Sequence, residues 1–595
     1  MSHIFRSRRC AHGPSRRIHR ARLWLWPLED RLAPANLIVT APGDNGGPNQ
    51  LRAMWETART NGQADTITFA ANVTIVSLTS ALTAYGENAP VTITGNGKTV
   101  TTIFAPPSNR AFDFNVLYAT PSIKITDLKL QGGNVTTGYG GAIRDDDEPL
   151  VLTNVAFTSN TAQAGGGALA VTVGTTLTIN GCDFTNNTAT KSSYSVFTGG
   201  GAIYLGGANT IALNTSTFSG NRALNGSSLL VSGGVTFSCD STTFANGVST
   251  DSTHVTGGAL VFASGAAAFT MDHSQVTGNV GGTSGGGISF QYYYPYVNLT
   301  IQNTIISSNS AREGGGIWAA SSVSITLSND TVSNNTAVGA EGGGLKAFGD
   351  VTIANSKFTG NSAFNNGGAV YSSSSVTINN STFASNFANS GGGVMDVFGN
   401  ATISNSVFSG NNAAASGSAA FFSDANSIIS SSLFTNNTGP QTYSGGAVGY
   451  GGATGTINSS QFSFNTAGYR GGALALVSNS SVTLNSCSFR GNTAQGSGGA
   501  ISTAESATLN VNQCTFTGNT AGSTFGGQGG AIAHGSTAAL TINNSTIADN
   551  TAIGNGGTDG GIELSGSGSL TLVSTIVAKN VIAGAANTGV DLHAT

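Results

Sequence analysis

Residues 376–388 read VTINNSTFASNFA, and Gly367-Gly368-Ala369-Val370 stands just before them. Val376-Thr377-Ile378 alternates apolar and polar, the period of a strand with one buried face. Phe383 is followed three positions later by Asn386, a residue type that tolerates left-handed backbone at a turn. Both features recur. The apolar-x-x-Asn pair appears fifteen times from Phe157/Asn160 to Val577/Asn580, and Phe244 with Gly247 is an imperfect further copy. From Phe157 to Val577 is 420 residues in 15 steps, a mean period of 28. A second anchor, Gly-Gly-(Ala/Gly)-(Ile/Leu/Val), runs beside it from Gly140 to Gly560, with a degenerate copy at Gly417-Ser418-Ala419-Ala420.

A fixed period of this size marks a solenoid. The segments between anchors are short and strand-like, and the punctuation is Gly, Asn and Ser. The expected fold is all-β: a right-handed, single-stranded parallel β-helix of about 17 coils, stacked at roughly 4.8 Å per coil. Handedness is not read from the repeat itself; it rests on the right-handed crossover rule and on the resemblance of the repeats to those of known β-helix proteins. In such a coil Phe358, Phe383 and Phe408 form one internal column. Asn361, Asn386 and Asn411 form an amide ladder from coil to coil. The Gly pairs permit a sharp corner and close approach of neighbouring coils.

Composition narrows the function classes. Gly is 84 of 595 residues and charged residues are 8%, against a usual ~25% charged. Residues 1–35 hold eight Arg and two acids, and the remainder carries a net charge of −10. A weakly acidic rod with so few Lys and Arg cannot neutralise phosphates, so nucleic acid is not an expected partner. No run of 18 apolar residues offers a spanning helix. Cys182, Cys487 and Cys514 each lie two residues before the column position, where other copies carry Ser, and so read as small buried ladder residues. Cys487 and Cys514 occupy adjacent coils, where a disulfide is the alternative.

In chain order, residues 1–35 read as an export segment. A basic run spans 6–22, Leu23-Trp24-Leu25-Trp26 is apolar, and Ala33-Pro34-Ala35 offers a cleavage site. Residues 28–35, LEDRLAPA, resemble the N-terminal motif of large exported Planctomycetes proteins, which implies export to the cell surface, the outer membrane or the medium. Residues 36–130 are expected to hold a cap helix and the first coils, and 131–595 the repeats. The helix is expected over 49–62, with Leu51, Met54, Trp55 and Ala58 on one face, covering the open end of the rod. Gln50-Leu51-Arg52-Ala53 with Asp65-Thr66-Ile67-Thr68-Phe69 partly resembles the N-terminal module of bacterial β-helix surface proteins, with Gln50 in place of their Ser and Met54 in place of their Ala. The Gly-Gly-Ala-(Ile/Leu/Val) and Phe-(Thr/Ser)-x-Asn pairs resemble the repeats of chlamydial polymorphic outer-membrane proteins. That resemblance implies a surface-exposed, adhesin-like rod. No barrel-like segment follows the repeats here and no C-terminal cap is apparent, so the last coil is expected to fray.

Chemistry is sparse. Glycoside cleavage needs two carboxylates at a set separation, and no acids are read as recurring on adjacent coils at one repeat position. Two carboxylates within about 10 Å in a groove would count against a non-enzymatic role. Asp145-Asp146-Asp147-Glu148 is the densest acidic run. Four consecutive acids cannot all face one ion, so a solvated turn is expected, with Ca²⁺ at Asp145, Asp146 and Asp147 the alternative. Asp251/His254 and Asp272/His273 bring two His and two Asp within about one coil, and chance decoration of a loop is the plainer reading. His534 has no acidic neighbour in sequence.

The position after each Gly-Gly tetrad should point outward. Trp318, Lys346, Tyr371 and Met395 hold it in four successive coils, an expected exposed stripe for a ligand. The loop 291–296, QYYYPY, is a second candidate contact. The reading is an exported, monomeric rod with an adhesive or structural role, no catalysis and no cofactor, whose partner is a carbohydrate or a cell-surface protein. The alternative is a polysaccharide lyase or hydrolase of the β-helix type.

Overall fold

The computed structural model describes residues 35–594, apart from 84–88, 115–121, 192–197, 208, 250–256, 264–265, 292–296, 416, 418, 440–444, 523–526, 555–558 and 584–590. Residues 1–34, Asp251, His254 and most of the 291–296 loop lie outside them.

The chain is a right-handed parallel β-helix of about 18 turns, with one helix among the described residues. One coil carries four strands, here followed from Val351. Sheet 1 takes Val351–Ala354, sheet 2 Lys357–Thr359, sheet 3 Ser362–Ala363, and sheet 4 Val370–Ser372. Every strand pairs in parallel with its counterpart one coil away, as in Val351↔Val376 and Phe358↔Phe383. Sheet 1 has 20 strands and sheets 2 and 4 have 19 each among the described residues. The rod begins earlier than the regular repeats do: Asn36–Val39 is already paired with Asp65–Phe69.

Alternation sorts the side chains. In sheet 1, Val376 and Ile378 face inward and Thr377 faces water. In sheet 2 the column Phe side chains are buried and stacked. Phe383 lies 5.0 Å from both Phe358 and Phe408, ring centroid to centroid. The stack continues through Phe434, Phe462, Phe489 and Phe516 at 4.7–4.9 Å. Each fully buried Phe contributes up to about 3 kcal/mol of hydrophobic stabilisation.

Beside the Phe column runs the Asn ladder. The Asn386 backbone N–H and its side-chain Nδ2 both donate to Asn411 Oδ1, at 3.0 and 3.1 Å, and Nδ2 also donates to the Phe358 carbonyl at 3.1 Å. Asn361 donates in the same way to Asn386. Each amide thereby satisfies buried backbone at a turn, where an unpaired group is costly. The left-handed residue of that turn is not the ladder Asn, as expected, but the one before it: Gly360, Ser385 and Gly410 have φ +65, +55 and +62. Gly247 stands in one Asn place, and the room a side chain would need there is taken by the Ser227 hydroxyl, 2.1 Å from where a Cβ would lie. At the far end Asp591 replaces Asn as acceptor, taking both donors of Asn580 at 2.9 and 3.0 Å.

A third column precedes the Phe. The Ser356 and Ser381 backbone N–H groups each donate to the Ser hydroxyl of the next coil, Ser381 and Ser406. Cys182, Cys487 and Cys514 sit in it as free, buried thiols. The Cys487 N–H donates to Cys514 Sγ at 3.3 Å, as to a hydroxyl in other coils. Burial pushes the Cys182 thiol up to about 12, which keeps it protonated and unreactive.

The helix is shorter than its pattern, Leu51–Ala58. Gln50 does not cap it through its side chain. Its Oε1 accepts the Asn45 and Gly47 N–H groups instead, both at 2.9 Å, and closes the preceding turn. Trp55 is fully buried 5.8 Å from Phe114, and its indole N–H donates to the Thr83 carbonyl at 2.9 Å. At the other end of the rod Leu572, Val573 and Ile576 are exposed. No described helix is long and apolar enough to cross a membrane.

Candidate functional site

Sheets 1 to 3 repeat the same residue types from coil to coil. The outer row of sheet 4 does not, so the candidate site is built there. Its local geometry is set by the Gly pair. Gly367 has φ +63, and a Cβ on it would lie 2.3 Å from the Val370 carbonyl oxygen. Gly368 meets the next coil: its Cβ would lie 2.2 Å from the Gly393 carbonyl oxygen. One Gly is needed for the left-handed corner and the other for the close approach. The residue four positions after the left-handed Gly then faces outward.

Counting from Gly314, Gly342, Gly367 and Gly392, all left-handed, gives Trp318, Lys346, Tyr371 and Asp396. Strand register agrees, with Trp318↔Lys346, Lys346↔Tyr371 and Tyr371↔Asp396. Met395 is therefore corrected out of the stripe: it pairs with Val370 and is fully buried in the core. The exposed character of the stripe is also corrected. Trp318, Lys346 and Asp396 are buried at 7%, 6% and 2% exposure, and Tyr371 is half-buried. The row is the floor of a channel. Glu313 and Glu341, in the turns between sheets 3 and 4, stand on one side. Phe348 and Phe398, in the turns after sheet 4, stand on the other.

The electrostatics centre on Lys346. Its Nζ donates to Glu313 Oε2 and, at 3.0 Å, to Glu341 Oε2. It also sits 5.2 Å from the Phe348 ring and 5.6 Å from the Tyr371 ring. The two Glu occupy one repeat position in adjacent coils, just before Gly314 and Gly342. The expectation that no acids recur in this way is overturned. Beyond Tyr371 lies Asp396, whose Oδ1 has no hydrogen-bond partner. Burial, reinforced by the Glu341 charge, pushes its carboxyl up to about 7. Burial and the Asp396 and Glu341 charges raise the Tyr371 phenol as well. Trp318 Nε1 is buried without an acceptor, and its ring meets Phe348 edge-on at 5.9 Å. The row thus combines a phenol hydroxyl, a buried unpaired indole N–H, aromatic rings and one carboxyl pushed up to about 7, a combination characteristic of functional sites.

The other sequence candidates are dispersed. The acidic run is not a solvated turn. Asp145 faces the core in line with Val171 and is fully buried, while Asp146 accepts from Arg144 at 2.8 Å. Burial, with the Glu148 carboxyl close by, holds Asp145 well above the usual carboxylate range. Two outer turns bring Asp240, Asp272 and His273 together, with ligand atoms all within 4.8 Å of one another. Asp272 already accepts from His273, Gln302 and Asn303, each at 2.8 Å. His534 faces the interior, bonded to Thr503 Oγ1 at 2.7 Å and the Ala538 carbonyl at 2.9 Å. Gln291 is buried, with Nε2 3.3 Å from Ser289 Oγ. A shallow depression of about 360 Å³ runs over Asn405, Ser406, Ser432 and Gln461, and its floor is ladder residues common to many coils.

Sequence reading missed Asp396, Glu313 and Glu341. The signal was present in the frame of Gly391-Gly392-Gly393: only the reading that starts at Gly392 puts two apolar residues inward before the polar one.

Residues 345–547 match a family model described as "Right handed beta helix region". Among solved structures the chain is similar to "Structure of PL6 family alginate lyase AlyGC", with 12% sequence identity and a TM-score of 0.23, covering 92% of this chain and 100% of that one. At that score no property is carried across. No curated protein matches. The chain is a right-handed parallel β-helix, with its non-repeating chemistry gathered on the outer row of sheet 4.

Proposed function

We propose that the protein is an exported binding rod that holds carbohydrate along the outer channel of sheet 4 without cleaving it. One observation carries this reading: Trp318, Lys346, Tyr371 and Asp396 stand in register on four consecutive strands. Their spacing of roughly 4.8 Å per coil lets an extended chain of rings lie along the rod, with aromatic faces and polar groups alternating beneath it. Charge placement favours binding over catalysis. Lys346 bonds both Glu313 and Glu341, and Asp396 is almost wholly covered, so among the described residues of the row no carboxylate pair stands unbonded.

A glycan array on the full chain tests the reading, together with an assay for released reducing ends. Binding without release, weakened at least tenfold in Tyr371→Ala, is the expected result. An array with no bound glycan overturns it.

Polysaccharide cleavage is the second reading, favoured by Asp396. A carboxyl titrating at about 7 beside a phenol is suited to proton transfer at neutral pH. Glu313 and Glu341, both bonded to one ammonium, also meet the 10 Å criterion that counts toward an enzyme. Release of reducing ends that disappears in Asp396→Asn would establish cleavage in place of simple binding.

A further inference from the structure

We propose that Arg470 forms an oxyanion subsite on the same face, for the carboxylate or sulfate group of a charged sugar. The inference rests on the glycan-channel reading for the carrier of that group and adds its chemical class. A cavity of about 180 Å³ opens beside the outer row of sheet 4, lined by Arg470, Ser497, Ser502, Thr503, Gln528 and Ser565 among others, none of them acidic. Ser502 belongs to the outer row itself, paired with Ala475 and Ala533.

Arg470 is held in place before any ligand arrives. Its guanidinium lies over the Tyr469 ring at 4.7 Å from the centroid, and Nη2 donates to the Tyr469 hydroxyl at 3.2 Å. Two features then call for an acceptor. Arg470 Nε is buried and has no hydrogen-bond partner, and a buried unpaired donor demands an explanation. Among the described residues no carboxylate pairs with Arg470, whereas Arg110 and Arg144 on this face pair with Asp113 and Asp146, and Lys346 with two Glu. Gln528 adds donors: its Oε1 accepts from Ser497 Oγ at 3.2 Å, which leaves its amide N–H groups for a ligand.

A planar guanidinium with free N–H groups matches the fork of a carboxylate or sulfate. The volume lies below that of a site for a whole small molecule, so it suits a substituent rather than an oligosaccharide. Arg470 lies four residues before the Leu474–Val477 strand, which is four steps of sheet 4 beyond Tyr371. At the coil spacing that is about 19 Å, within the span of one extended oligosaccharide lying along the channel.

The test is calorimetric titration of the full chain with hexagalacturonate, with its methyl ester, and with inorganic sulfate, repeated on Arg470→Gln and Arg470→Lys. The acid form should bind at least tenfold more tightly than the ester, and sulfate should compete with it. Arg470→Gln should erase the preference, and Arg470→Lys, which keeps the charge but loses the fork, should retain part of it. Equal binding of acid and ester, or a preference that survives Arg470→Gln in a folded chain, overturns the subsite and leaves the channel reading standing. If neither oligosaccharide binds, the channel reading is left to the glycan array. Sulfate then decides the rest: binding lost in Arg470→Gln upholds an oxyanion site, and no sulfate binding ends it. Should Arg470→Gln fail to fold, the acid-to-ester ratio in Arg470→Lys serves as the same readout.

Discussion

Sheet 2 and the outer row of sheet 4 are built from the same coil and obey opposite rules. In sheet 2 and its flanking turns, Phe383, Asn386 and Ser381 meet copies of themselves above and below, and each amide or hydroxyl is satisfied by its neighbour. Identity between coils is the stabilising device. In the outer row, Trp318, Lys346, Tyr371 and Asp396 meet unlike neighbours, and buried polar atoms are left over at Trp318 and Asp396. A solenoid's stability is close to a sum of repeat and nearest-neighbour terms, so sheet 2 holds the rod and the outer row is free to vary.

The sharpest way to break that contrast is in the ladder. Asn386→Ala strips the Asn361 backbone N–H of its acceptor and removes one bond each from the Asn361 amide and the Phe358 carbonyl, all in buried surroundings. The expected cost is about 5 kcal/mol. Hydrogen exchange is the right readout, since protection should fall first in the coils around Phe358 and Phe408 rather than uniformly.

Asp396 should give the opposite sign. The folded chain holds its proton up to about pH 7, while an unfolded Asp releases it near 3.9. Folding therefore takes up a proton in that window, and stability falls as pH rises from about 4 to about 7. Asp396→Asn should flatten this slope and leave the chain more stable at pH 8, by at most about 4 kcal/mol. Asp330 tests whether the effect is confined to the channel. It sits in the Ser column, with Oδ1 accepting the Thr304 N–H at 2.8 Å and its other oxygen unpartnered, and burial pushes it up to about 7. Asp330→Ser restores the repeat residue and should also be stabilising at neutral pH in thermal melts.

Lys346→Met should cost about 2 kcal/mol at pH 7, because Glu313 and Glu341 would then face each other uncompensated in a partly buried site. The loss should shrink in about 1 M salt, which screens the repulsion between the two partly exposed carboxylates. Urea titration at low and high salt measures the difference.

These residues also mark where sequence reading succeeds and where it stops. The fold was legible because each column has a local physical reason that repeats about every 28 residues: alternation for strands, Asn for an amide ladder, Gly for close approach. The channel was not, because a strand inverts its faces with a shift of one residue. Reading the Gly run at 391–393 one position early exchanged Met395 for Asp396, a core side chain for a functional one. Burial of Trp318 and Lys346 was hidden for another reason. Outward direction follows from alternation, but exposure depends on the turns on either side. Glu313 reaches Lys346 from 33 residues away, a pairing that only coil stacking creates. Asp145 shows the reverse error: two positions after the inward Ile143, it followed the same alternation into the core, and four consecutive acids masked the pattern.

The smallest stability effect belongs to the residue with the largest expected role in binding. Tyr371 is half-buried, and its ring meets Phe398 at 5.9 Å and the Lys346 ammonium at 5.6 Å. Tyr371→Ala removes these contacts but no ladder bond and no core packing, so the expected cost is below about 1 kcal/mol. Glycan affinity should nevertheless fall at least tenfold, with the same melting profile as the parent chain. A variant that lost stability as Asn386→Ala does would place Tyr371 among the residues that hold the rod, and the division between a repeating scaffold and a variable face would fail at its centre. A stable variant that binds as before would move the ligand elsewhere on the row, toward Arg470. Only loss of binding at unchanged stability fits a face whose side chains are released from the work of folding.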